Sequence, residues 1–248
     1  MPHIATLSDT RNNCHNCRLR SLCLPDNLSK DDLGELDSIV QRRKPVSRGE
    51  YLFQAGQRFN SIYAVRTGAV KTSTLMANGD EHILGFHLPG EVIGLDAIVS
   101  RTHPSSAIAL EMASICEIPY AELEALCDRT PALQHRLMCI MSRELLVEQS
   151  TNHLLSRRSA EQRLAVVLLK FSERFADRGL SALRFRLPMS RLDLGNYLGL
   201  VPETMSRTFR RLEEQGLVSI ARKEIEIVDS CAMKALAFGT EDPQAVRA

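Results

Sequence analysis

Hydrophobic and polar positions change rhythm twice along this chain. Between residues 28 and 130 the apolar runs are short and often alternate with polar residues, as in "EYLFQAG", "SIYAVRTGAVKTSTL", "EHILGFHL" and "EVIGLDAIV". A period of two predicts strands, and this segment reads as mostly strand. Glycines punctuate it at 49, 56, 68, 79 and 90, and the last three intervals are 12, 11 and 11 residues. That regular beat of strand and turn predicts an antiparallel β-roll. "NGD" at Asn78–Asp80 signals a hairpin, because Asn-Gly tolerates the positive φ angles of a type I′ turn.

After Pro131 the period lengthens. Residues 131–157 contain no glycine and no second proline, and Leu133, Leu137, Met141, Leu145 and Leu155 recur at helical spacing. The pattern predicts one long helix with proline in its first turn, where the missing N–H costs nothing. Leu137, Met141, Leu145, Glu148, Asn152 and Leu155 follow steps of three or four and share one stripe. A seam that long suits the pairing of two subunits into a homodimer. Glu148 and Asn152 put polar groups on the stripe. Two Glu148 carboxylates meeting across a two-fold axis would repel, so a small input would tip such a seam.

Residues 159–240 form a second domain. "SAEQRLAVVLLKFSERF" is an amphipathic helix, "MSRLDLGNYLGLVPETMSRTFRRLEEQGLVSI" reads helix, turn, helix, turn, strand, and "KEIEIVD" alternates like a closing strand. The predicted plan is therefore α+β: a cysteine-rich loop at 1–27, a β-roll at 28–130, a dimerisation helix at 131–158, a winged helix-turn-helix at 159–240 and a flexible tail at 241–248.

Composition narrows the classes. The 248 residues are 44% hydrophobic and 25% charged, the profile of a soluble globular protein, and no apolar run is long enough to span a membrane. The N-terminus lacks the apolar core of a signal peptide, so a cytoplasmic location is expected. Net charge is only +1, yet residues 184–211 hold six basic residues against two acidic ones. That local excess suggests a surface facing phosphates.

The helix-turn-helix explains where those charges point. Ser190 can cap the first helix, Gly199 ends it, and Pro202 opens the second. In the second helix Val201, Met205, Phe209 and Leu212 are expected to face the core. Glu203, Ser206, Arg207 and Arg210 share the opposite face, which suits the major groove of double-stranded promoter DNA. Arg207 can donate two hydrogen bonds to guanine, Glu203 can accept from cytosine N4, and Ser206 can meet either base type. Arg191, Arg210 and Arg211 are placed for phosphates, which position the protein without reading sequence.

Seven cysteines remain to be explained: Cys14, Cys17, Cys23, Cys116, Cys127, Cys139 and Cys231. An odd number in a reducing compartment argues against a disulfide framework. Cys14-x2-Cys17-x5-Cys23 lets three sulfurs converge from one loop. A fourth ligand must come from afar, and Cys116, at the end of the β-roll strands, is the natural choice. Cys127 and Cys139 fit helical core patterns, and Cys231 belongs to the DNA-reading half. Four thiolates hold zinc or an iron–sulfur cluster, and ligand count does not separate the two. A reactive CxxC enzyme is disfavoured, since no βαβ pattern surrounds Cys14 and Cys17; the chain is not expected to be an enzyme.

Taken together, "CHNCRLRSLC", "LFQAG", "IYAVRTGAVK", "GDEHILGFHLPGEVIG", "CEIPY", "AEQRLA", "FRLPMSRLDLGNYLGL" and "ETMSRTFRRLEEQGL" occur in one order. In that order the chain resembles the FNR branch of the CRP/FNR transcription regulators over essentially its full length. The resemblance implies a β-roll of the cyclic-nucleotide-binding kind and an oxygen-responsive regulator with a [4Fe–4S] cluster. By position Cys14, Cys17, Cys23 and Cys116 match its ligands. Glu203, Ser206 and Arg207 match the E-x-x-S-R motif that reads inverted repeats with TTGAT-like half-sites. RNA polymerase is the expected partner at the promoter, through β-roll loops around Asn78–Glu81. Cyclic-nucleotide-binding members carry a ribose-binding Glu where Leu95 stands here and a phosphate-binding Arg where Ser105 stands. Without that positive charge no cyclic nucleotide is expected to bind. The competing expectation is a CRP-type regulator with structural zinc or a small-ligand input and no redox response.

Overall fold

A computed structural model describes residues 14–23, 28–42 and 44–239; within it the side chains of Glu148, Asn152 and Leu155 are outside the described set. The expected tail at 241–248 also lies outside the described residues. Two compact units carry the chain. The first runs up to Leu75 and resumes over Leu84–Arg143, and the second holds Met76–Ile83 with Glu144 onward.

In chain order the elements are α1 (Arg20–Cys23), α2 (Lys30–Ile39), β1 (Gln41–Arg42), β2 (Tyr51–Phe53), β3 (Ser61–Thr67), β4 (Val70–Leu75), β5 (Glu81–His87), β6 (Val92–Ile93), β7 (Ser106–Ala109), β8 (Ser114–Pro119), α3 (Tyr120–Cys127) and α4 (Pro131–Arg157). There follow α5 (Ala160–Ala176), β9 (Arg184–Arg186), α6 (Arg191–Leu198), α7 (Pro202–Glu214), β10 (Val218–Ala221), β11 (Glu224–Ile227) and α8 (Ser230–Phe238).

The β-roll is two four-stranded antiparallel sheets, ordered β1-β8-β3-β6 and β2-β7-β4-β5. The punctuating glycines at 49, 56, 68, 79 and 90 all take positive φ, which explains their spacing. Strand β3 is buried continuously from Ser61 to Val65 because both of its faces are covered. Tyr63 and Val65 join Phe53, Val70, Ala107 and Ile115 between the sheets. Ile62 and Ala64 look the other way, into a second core with Leu33 and Leu36 of α2, Leu123 and Leu126 of α3, and Leu133 of α4. Each such leucine contributes roughly 1.5–3 kcal/mol on burial.

Helices α2 and α3 correct the expectation that 28–130 is mostly strand. The signal for α2 was in the sequence: Ser29 caps it by accepting from the N–H of Asp32, with Leu33 and Leu36 one turn on. The "NGD" loop is also not a type I′ turn. Only Gly79 has positive φ, the Gly79 N–H donates to Met76 O at 2.9 Å, and Asn78 spends its amide on Asp80. The loop is one residue longer, a type I turn followed by a left-handed glycine.

Helix α4 has the predicted 27 residues. Its inner face is Leu133, Leu137 and Ile140, packed on the helical core, so Leu137 is shared with the chain's own core; Met138, Met141 and Leu145 stay exposed. Cys139 is likewise exposed, with its sulfur 3.5 Å from His135 Nε2, and is no core residue. Cys127 is buried as expected. Among the described residues no helix is long and apolar enough to cross a membrane.

In the second unit α5 is capped by a Ser159–Gln162 box and buries Leu164, Leu168 and Phe171. Helix α8, which sequence patterning missed, adds Met233 to the core; its cap is Asp229. The wing is a three-stranded sheet ordered β10-β11-β9.

Candidate metal centre and nucleic-acid interface

The segment that carries three of the cysteines is wound by its own backbone. Cys17 N–H donates to Cys14 O, Arg20 N–H to Cys17 O and Cys23 N–H to Leu19 O. Helix α2 then fixes its start: the Cys14 N–H donates to Asp37 Oδ1 at 2.7 Å, and the Cys14 thiol also bonds Asp37. Arg42 of β1 pairs with the same carboxylate, and Arg42 lies directly opposite Cys116 in the β1–β8 ladder. Strand alternation turns Cys116 toward the helical core, where Cys14 also packs.

Two of the four predicted thiols, Cys14 and Cys116, therefore share one core. Burial pushes the Cys14 thiol up to about 12, helped by its hydrogen bond to Asp37; burial also raises Cys116, against the opposing pull of Arg42 and Arg66. Burial alone would raise Asp37 too, but the Cys14 N–H, the thiol and Arg42 hold it below the usual carboxylate range. Cys23 is turned elsewhere: its thiol donates to Gly90 O at 3.5 Å. Among the described residues no three His, Cys, Asp or Glu side chains gather closely enough to hold a metal ion.

Behind this loop, α4 reaches back. The Arg136 guanidinium donates to Ser21 O at 3.1 Å and to Leu22 O. Leu22 in turn lies against Gly90, where a Cβ would meet Leu22 Cβ at 2.8 Å. Spacing rules gave no hint of Asp37, Arg42 or Arg136. The one available signal was the cap of α2, which places Asp37 two turns along that helix.

The two positions compared with a cyclic-nucleotide site are both engaged within the protein. Leu95 packs on the helical core, and Ser105, 2% exposed, donates to Asp96 at 3.2 Å. The buried His103 ring stacks on Phe53 with centroids 3.8 Å apart, and Nδ1 has no partner among the described residues.

In the second unit the helix-turn-helix is built from tight local contacts. Ser190 and Asp193 form a capping box, Gly199 ends α6 in the left-handed region, and Leu200 N–H donates to Gly195 O at 2.8 Å. Gly195 lets the turn close: a Cβ there would meet Leu200 O at 2.8 Å. On α7, Met205, Thr208, Phe209 and Leu212 are buried. Val201 was expected among them but is 65% exposed, because it is the cap residue outside the helix. Thr208 takes the inner position instead and gives its hydroxyl to Thr204 O.

Glu203, Ser206 and Arg207 are all exposed on the opposite face. The three arginines assigned to phosphates are not equivalent. Arg210 pairs with Glu214 one turn on, Arg211 with Glu161 of α5, and the Arg191 guanidinium lies 4.9 Å from the Phe209 ring centroid. The hydrogen bond from Arg211 is the largest of the causes that hold the Glu161 carboxyl below its usual range. At the wing tip Arg222 has φ 60 and Lys223 donates to Pro188 O, so the turn presents Arg222 outward.

Comparison with known proteins places these features. A cyclic nucleotide-binding domain model matches residues 43–130, and a Crp-like helix-turn-helix domain model matches residues 162–236. The transcriptional activator protein Anr of Pseudomonas aeruginosa is 47% identical, covering 91% of this chain and 93% of its own. The fumarate and nitrate reduction regulatory protein of Escherichia coli K12 is 43% identical, covering 92% of each. The solved structure of FixK2 from Bradyrhizobium japonicum superposes with a TM-score of 0.73 at 29% identity, covering 80% of this chain and 97% of that one. With relatives this similar over nine-tenths of its length, the chain belongs to the FNR/Anr family of transcription activators, DNA-binding regulators of the CRP/FNR type.

Proposed function

We propose that this regulator senses oxygen through a [4Fe–4S] cluster and, in the absence of oxygen, binds promoter DNA as a homodimer. The observation that carries this is the packing of Cys14 and Cys116, far apart in the chain, against one core. With Cys23 nearby in α1, the donor set is four thiols and suits a soft-metal centre. Cys14, Cys17, Cys23 and Cys116 would hold the cluster; Cys23 must leave Gly90 O to join them. When bound, the cluster supplies an oxygen-labile tie between the N-terminal segment and β8.

The chain's own groups do the rest. Asp37 presets Cys14 through its N–H, and Arg42 keeps that carboxylate charged and aligned. Helix α4 offers Met141 and Leu145 to a second copy, continuing toward Glu148, Asn152 and Leu155. A dimer sets two α7 helices one turn of DNA apart, roughly 34 Å. There Arg207 reads guanine, Glu203 accepts from cytosine and Ser206 contacts its neighbour, on an inverted repeat of TTGAT-like half-sites. Arg191, Arg210 and Arg211 meet phosphates, the last two by exchanging an intramolecular carboxylate for a phosphate. Separation of the dimer lowers affinity steeply, because one half-site binds far more weakly than two linked ones. The exposed loop at Asn78–Asp80 is available to RNA polymerase. No cyclic nucleotide takes part, since Ser105 supplies no charge for its phosphate.

The test is DNA binding by fluorescence anisotropy, under nitrogen and in air, with a TTGAT-like inverted repeat. Tight binding that is lost in air, and absent in Cys116→Ala under both conditions, is the expected result. A Cys116→Ala protein that still binds only under nitrogen would refute the ligand assignment.

A further inference from the structure

Helix α1 is four residues long, far too short to hold itself together. Its final carbonyls are among those that any helix leaves without an internal partner. Two of them, Ser21 O and Leu22 O, accept from Arg136, which lies more than a hundred residues away on α4. Arg136 sits on the inner face of α4, one turn after the buried Leu133 and beside the half-buried Leu137 and Ile140. Its Nε is buried with no partner among the described residues. Arg136 as a whole is half-buried, and these two charge-assisted bonds tie its guanidinium to α1.

We propose that Arg136 is the positioning residue through which the cysteine segment sets the packing of α4, and so dimerisation; this rests on the switch proposed above. While α1 is seated, the Arg136 guanidinium is tied to its carbonyls and α4 presents Met141 and Leu145 outward. When α1 leaves, the half-buried guanidinium loses both acceptors. An unpaired charge with a buried Nε is unfavourable, so the first turns of α4 shift to hydrate it fully. That shift moves the outward face at the same time. The seating of α1 is itself steric: Leu22 fits only against a residue without a Cβ, Gly90, to whose carbonyl the neighbouring Cys23 thiol donates.

The experiment compares wild type, Arg136→Gln and Arg136→Lys under nitrogen. It reads iron and sulfide per chain, the dimer dissociation constant by sedimentation with and without iron, and amide exchange at Leu22 and Cys23. Glutamine removes the charge that must be re-solvated, whereas lysine keeps it. Expected for Arg136→Gln are unchanged iron and sulfide, exchange at Leu22 and Cys23 faster by about tenfold or more, and a gap between the two dissociation constants narrowed by about tenfold. Arg136→Lys should restore most of the gap. Loss of iron in Arg136→Gln would place the residue in assembly of the centre and overturn the transmission role, as would an unchanged gap. If wild type itself carries no iron, the switch reading fails. The clamp is then judged by amide exchange alone, and Leu22 and Cys23 exchanging at the wild-type rate in Arg136→Gln would overturn it too.

Discussion

Replacing Gly195 with alanine sets two effects of opposite sign against each other. Gly195 lies inside α6, where glycine is about 0.8–1 kcal/mol worse than alanine. On propensity alone the substitution should stabilise. The added Cβ, however, would sit 2.8 Å from the Leu200 carbonyl oxygen and 3.7 Å from Met205 Cβ. The nearer atom is backbone and cannot swing aside, so the turn between α6 and α7 must open. Overpacking of this kind costs about 1–3 kcal/mol, which leaves a net loss of about 0–2 kcal/mol. The control is Gly34→Ala. Gly34 is also inside a helix, α2, but nothing lies within 4 Å of its missing Cβ. There the same change should gain about 0.5–1 kcal/mol. Thermal unfolding followed by circular dichroism reads both, at about 4–8 °C per kcal/mol for a unit of roughly 100 residues. Because α7 is carried by the turn, DNA affinity should fall about tenfold or more in Gly195→Ala, a loss near 1.4 kcal/mol, and be untouched in Gly34→Ala. Equal stabilisation by both substitutions, with DNA binding intact, would refute the reasoning.

Arg207→Ala should weaken binding to the inverted repeat by about 1–3 kcal/mol and relax selectivity at the guanine it reads. Arg210→Ala should instead weaken all duplexes alike and lower the salt slope by about one; anisotropy titrations at several salt concentrations separate the two. His103 is held neutral chiefly by burial, and its pKa is lowered. Above the ordinary histidine value both folded and unfolded states are neutral and no penalty arises. As pH falls below it, the unfolded chain takes up the proton first and the β-roll loses stability. Urea titrations between pH 7.5 and 5.5, taken as about one unit either side of that value, should show the decline in wild type and not in His103→Phe, which keeps the stack on Phe53. For Glu161 the lowered carboxyl gives a contribution present above the unfolded value and lost as pH falls through the folded one. Glu161→Gln should flatten that acid limb and leave Arg211 free for phosphate.

The β-roll, the long helix and the helix-turn-helix were legible because each rests on periodicity and turn chemistry. Glycines that must take positive φ fall at regular intervals, and Pro131, Ser190, Gly199 and Pro202 mark helix ends in the places where those residues are cheapest. Helices α2 and α8 were missed because they are only nine or ten residues long and bury two positions each. Val201 was misplaced for a related reason: helical spacing does not say which residue is the cap. The exposed face of α7 followed from spacing directly. The surroundings of the cysteines did not. Asp37, Arg42 and Arg136 meet the cysteine segment through β1–β8 pairing and the seating of α4, contacts that no local pattern encodes. Competition for the predicted phosphate contact Arg211 by Glu161, 50 residues away, was invisible for the same reason.

The central claim is that four thiols, one of them Cys116, hold an oxygen-labile [4Fe–4S] cluster. Its most direct measurement is the visible absorption spectrum of protein purified under strict exclusion of oxygen, with iron and sulfide counted per chain, before and after admission of air. The account predicts a brown protein with about four irons and four sulfides per chain, colour that changes in air, and a colourless Cys116→Ser variant. A colourless wild type under nitrogen, with zinc or no metal, would contradict it, while leaving the DNA-reading face of α7 intact.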